Sequence, residues 1–143
     1  MKLEKGDFAR YAKVDREQME VNARNDFRPA GSTCVHAQQY VEKMLKDKIV
    51  ELFDEEPLKT HDLLVLLRAI LPDIGAVDDS TLHKVSILTS YYMASRYPDV
   101  GLDDDWSEET AEEAYTWSKE IVEFIGRISR DESGNIVIKG PDH

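Results

Sequence analysis

Apolar residues recur at intervals of three and four along most of this chain, and the breaks in that rhythm fall at proline and glycine. That period belongs to α-helices with one buried face, and it leaves little room for a sheet-based fold. The clearest case follows the Arg28-Pro29-Ala30-Gly31 break. With Ser32 or Thr33 as cap, a helix is expected to reach about Phe53. At about 100° per residue, Cys34, Ala37, Val41, Leu45, Lys48 and Leu52 then share one stripe, flanked by Met44 and Ile49.

The remaining segments follow the same logic. A first helix is expected from about Gly6 to Asn25, with sparse apolar positions (Phe8, Tyr11, Ala12, Met19, Ala23) that suit packing at one side of the molecule. Thr60 is expected to cap HDLLVLLRAIL, which is apolar around nearly its whole circumference and ends at Pro72 and Gly75. Asp79 or Ser80 would cap a fourth helix with Leu82, Val85, Leu88, Thr89 and Tyr92 on one face and Pro98 as its stop. Ser107 would cap a fifth, striped by Ala111, Ala114, Ser118, Ile121, Ile125 and Ile128, with acids in the first turn where the helix dipole favours them. The expectation is an all-α fold: an antiparallel up-and-down four-helix bundle with an additional short helix, over residues 1–130. Residues 131–143 read as a tail, either loose or adding an edge strand through Asn135-Ile136-Val137-Ile138-Lys139.

Composition narrows the function. The single cysteine, Cys34, cannot form an internal disulfide, and it falls on an apolar stripe, which suits a buried thiol. No metal site and no cofactor are expected, since one Cys and four scattered His give no ligand set. No apolar run approaches membrane-spanning length and the start lacks a secretory core, so a cytoplasmic protein is expected. The net charge of −11 is uneven: residues 1–30 hold 7 basic and 6 acidic residues, whereas Asp99 to Glu113 carries eight acids and no base. Such a surface opposes broad binding to DNA or RNA, while a local pocket for a nucleotide or an RNA end stays compatible with it.

Three segments stand in a suggestive register: HAQQYVEKMLKDKI from His36 to Ile49, THDL from Thr60 to Leu63, and YYMASRYPD from Tyr91 to Asp99. In this order and spacing the chain resembles a HEPN domain, the helical nucleotide-binding domain of prokaryotes and eukaryotes, over about Phe8 to Ile125. The resemblance implies a homodimer and a minimal nucleotidyltransferase as partner, in some pairs as toxin and antitoxin. Other members are metal-independent ribonucleases that carry an Arg, four to six residues, then a His. This chain departs from that pattern, because no His follows Arg96 before His143. Cleavage without metal needs a base for the 2′-hydroxyl as well as a cation for the phosphate, and the motif supplies only the cation.

The candidate residues follow. Arg96 could fork onto a phosphate while Tyr97 stacks on a base, or Arg96 could brace the helix end with its orphan carbonyls. His36, Gln39 and Lys43 project within about 60° of one another, opposite the Cys34 stripe, as a ligand patch or a solvated face. This patch is expected near Arg96 or supplied to it across a dimer. Tyr92 is the i, i+4 neighbour of Arg96, and His61 and Asp62 would occupy the first turn of the third helix in structural roles. Trp106, Tyr115 and Trp117 suit a core edge or dimer interface. The leading expectation is a non-catalytic nucleotide- or RNA-binding module acting with a nucleotidyltransferase. The alternatives are a ribonuclease toxin with a displaced base such as His36 or His61, and an assembly protein without ligand.

Overall fold

The computed structural model describes residues 4, 6–96 and 106–140, with backbone alone at Ser95 and Arg96. The chain is mostly helical: α1 (Asp7–Ala23), α2 (Ala30–Phe53), α3 (Leu63–Ile70), α4 (Asp79–Arg96) and α5 (Glu108–Gly126), then a hairpin of β1 (Ile128–Arg130) and β2 (Ile136–Ile138). A turn of 3-10 helix, Ile74–Ala76, links α3 to α4. Helix α2 is the central element and packs against α1, α3, α4 and α5.

Its stripe explains that position. Cys34, Ala37, Val41, Leu45 and Ile49 are all buried, and their neighbours in the core include Leu63, Leu66, Leu67 and Ile70 of α3, Val85, Leu88 and Tyr91 of α4, and Ile121, Phe124 and Ile125 of α5. The α5 stripe expected from the sequence is buried from Ala111 to Ile125; Ile128, expected to continue it, is buried as well but belongs to β1. Helix α1 contributes a narrower face, Ala12, Asp15, Met19 and Asn22.

Helix entries differ from the expected caps in informative ways. Helix α2 begins at Ala30, ahead of Ser32 and Thr33, so neither hydroxyl caps it. Both accept from the Asn22 amide instead, at 3.2 and 3.1 Å, and so fasten the turn between α1 and α2. For α3 the cap is Asp62, whose carboxylate accepts from Leu64 N at 2.9 Å and Val65 N at 3.3 Å. Thr60 instead accepts from Asp62 N, at 3.1 Å, and His61 stands outside the helix rather than in its first turn. Ser107 caps α5 as its sequence suggests, accepting from Thr110 N at 3.0 Å. The stop at Pro98 lies outside the described residues.

The last segment is a hairpin with Ile128 opposite Ile138, so the division at residues 130 and 131 falls inside it. Ile136 and Ile138 pack on the core, and the Lys48 ammonium donates to Ile128 O at 3.0 Å. Among the described residues, no helix is long and apolar enough to cross a membrane.

Candidate functional site

Two buried carboxylates on opposite flanks of α2 organise its polar side chains. The first is Asp15 of α1, which is 2% exposed. Its two oxygens meet His36 Nδ1 at 2.7 Å and Lys43 Nζ at 2.5 Å. A buried carboxylate requires this pairing, since burial without it costs several kcal/mol. His36 and Lys43 therefore face α1 and are occupied by its carboxylate. The side chain of Gln39, between them in sequence, makes no hydrogen bond among the described residues.

The second carboxylate is Glu42, 6% exposed. Its Oε1 lies 2.8 Å from His61 Nδ1 and accepts from Gln38 Nε2 at 3.1 Å, while its Oε2 accepts from Lys46 Nζ at 3.2 Å. Gln38 also donates to His61 O at 3.0 Å, so the residue before the α3 cap is held through both backbone and ring. The His61 ring then stacks on Tyr92 of α4, with centroids 4.0 Å apart and planes 17° from parallel. A further link joins the same elements, from Leu63 N to Thr89 Oγ1 at 3.1 Å.

These contacts shape a pocket of about 290 Å³, bounded by Lys59, Thr60, His61 and Asp62 on the approach to α3 and by Thr89, Tyr92 and Met93 on α4. Lys59 is exposed and makes no hydrogen bond or ion pair with another described residue. Met93, half exposed, lends an apolar edge. With its Nδ1 proton given to Glu42, a neutral His61 ring keeps a lone pair at Nε2. Among the described residues no cluster of three or more His, Cys, Asp or Glu could hold a metal ion.

The structure thus joins His61, Asp62 and Tyr92 in one pocket and places His36 and Lys43 elsewhere, on Asp15. Arg96 is the last residue of α4, one turn beyond Tyr92, but its side chain and all of Tyr97 lie outside the described residues. Asp15, Gln38, Glu42 and Lys59 are not among the site residues expected from the sequence. Asp15 did carry a signal, because it shares the three-and-four spacing of Ala12 and Met19 on a buried face.

The family model described as HEPN domain matches residues 6–128 of the 143. No curated protein and no solved structure gives a significant match. The matched span runs from the start of α1 to β1 and includes every residue of the pocket, and on that match the chain belongs to the HEPN domain family.

Proposed function

We propose that this HEPN domain is a nucleotide- or RNA-binding module, built as an antiparallel up-and-down bundle, that acts as a homodimer together with a nucleotidyltransferase. Membership of the family supports a nucleotide- or RNA-related role. The observation that carries the reading is the pocket where Lys59, unpaired among the described residues, stands beside the His61–Tyr92 stack. On a chain of net charge −11, a phosphate settles only where a local cation outweighs the general field. Lys59 can supply that cation. The exposed His61 ring and Met93 offer surface against which a base can lie. Adding ATP or a short single-stranded RNA to isotopically labelled protein tests this. The expected result is resonance shifts at His61, Tyr92 and Met93; shifts confined to other residues would move the site elsewhere.

One observation favours a second reading, a ribonuclease with a displaced base. The Glu42–His61 pair has the form of a carboxylate-oriented general base, and Nε2 could take the proton of a 2′-hydroxyl while Lys59 or Arg96 steadies the phosphate. His36 is paired with a carboxylate as well, yet it lines no part of this pocket. Cleavage of single-stranded RNA in EDTA, lost in both His61→Ala and Glu42→Gln, would establish this reading over the first.

A further inference from the structure

A second cavity, of about 220 Å³, opens between α1 and α2 and shares no lining residue with the His61–Tyr92 pocket. Ala9, Ala12 and Met44 form an apolar wall, and Lys13, Arg16 and Tyr40 supply the polar groups. The cations are incompletely used by the protein. Arg16 Nε is buried without a hydrogen-bond partner. Glu20 Oε1 stands 3.9 Å from it, and Glu17 Oε1 stands 3.8 Å from Lys13 Nζ. Both separations exceed hydrogen-bonding reach. Tyr40 is buried with its phenol beside the Arg16 guanidinium; burial raises its pKa, and the guanidinium partly opposes that rise.

Arg16 and Lys13 line the cavity with side chains that keep 43% and 64% of their surface in water, so both can meet an anion that enters it. The location suits an anion too, because residues 1–30 carry a net charge of +1 within a chain of −11. Charge and size narrow the class. Two cations and a phenol match a dianionic phosphoryl group, whose three oxygens can serve all three donors. The space, about 220 Å³ and partly open to solvent, gives a small apolar body a wall to lie against beside its head group. We propose that the cavity is a second ligand site, which takes a small phosphate monoester with the phosphoryl group on Lys13, Arg16 and Tyr40 and the apolar body against Ala9, Ala12 and Met44. This assignment is independent of the reading of the His61–Tyr92 pocket.

Titration of the full chain with phenyl phosphate, phenol and inorganic phosphate, followed by the methyl resonances of Ala9, Ala12 and Met44, tests it. Phenyl phosphate is expected to shift these methyls, and phenol is expected to leave them in place. Inorganic phosphate should bind more weakly than phenyl phosphate. Arg16→Gln should weaken phenyl phosphate roughly tenfold or more. Ala9→Leu, which fills the cavity and keeps both cations, should abolish the binding. If Arg16→Gln fails to fold, Lys13→Gln carries the same expectation from a more exposed position. The proposal is overturned if phenyl phosphate shifts nothing at millimolar concentration, if its binding survives Ala9→Leu, or if phenol or inorganic phosphate binds equally well.

Discussion

The His61 ring lies flat against Tyr92, 4.0 Å between centroids, and so ties the approach to α3 to the last turns of α4. Pairs of aromatic rings contribute about 0.5–1.5 kcal/mol beyond the area they bury. A double-mutant cycle of His61→Ala and Tyr92→Ala, read by urea unfolding, should return a coupling free energy of that order. Strict additivity would mean that the two rings are neighbours without a shared contribution.

Asp15 gives the largest expected loss. Removing one member of a buried ion pair costs about 3–5 kcal/mol, because the remaining charge has no partner. His36 and Lys43 keep 30% and 27% of their side-chain surface in water, which places Asp15→Ala toward the lower end. Lys43→Met should cost less, since His36 still holds the carboxylate. Equal losses for the two variants, by denaturant titration, would contradict this hierarchy.

Alkaline pH should destabilise the fold through its buried acids, Cys34 and Tyr91 most of all. Burial, with Glu113 adding to it, pushes the Cys34 thiol from 9.0 up to about 12. Burial, with Cys34 and Glu113 adding to it, pushes the Tyr91 phenol from 10.0 to about 12. For a folded pKa raised in this way, stability is complete below the unfolded value and declines as pH climbs to the folded one. The free energy of unfolding should therefore begin to fall near pH 9 and steepen above 10, by at most about 1.4 kcal/mol per pH unit for each group. Cys34→Ala should flatten the segment between 9 and 10. An unchanged slope in that variant would show that the thiol is not the group responsible.

The caps offer a direct test of local structure. Asp62→Ala removes two bonds to the free N–H groups of α3 and should cost about 1 kcal/mol, as should Ser107→Ala at α5. Thr60→Ala should cost less, since its hydroxyl accepts only from Asp62 N. Thermal melts of the three variants check the order, and a larger loss for Thr60→Ala would restore it as the principal cap.

Much of the helical pattern was legible because burial imposes a period. The stripes of α2 and α5 read correctly from Cys34 to Ile49 and from Ala111 to Ile125, since each such residue must leave water on the same side of its helix. Polar pairing was less legible, because it depends on contacts far apart in sequence. His36 and Lys43 looked like an outward patch until Asp15, twenty-one and twenty-eight residues away, was seen to hold them. Glu42 was hidden for the same reason: its partner His61 comes from a loop nineteen residues on. Competition between caps decided the rest. At the start of α3, Thr60, His61 and Asp62 all precede the helix, and the carboxylate took the role expected of the hydroxyl.

The role proposed for the Lys59–His61–Tyr92 pocket is to bind a nucleotide or an RNA end. Calorimetric titration of ATP and of a short single-stranded RNA into the wild type, Lys59→Gln and Arg96→Lys, with melting temperatures taken in parallel, tests it most directly. A charge-assisted bond to phosphate contributes about 1.5–3 kcal/mol, so losing one should weaken binding roughly tenfold or more. The wild type is expected to bind, Lys59→Gln to show that loss at an unchanged melting temperature, and Arg96→Lys, which keeps its charge but not its fork, to show a smaller one. No binding by the wild type, or equal affinity in all three proteins, would contradict it.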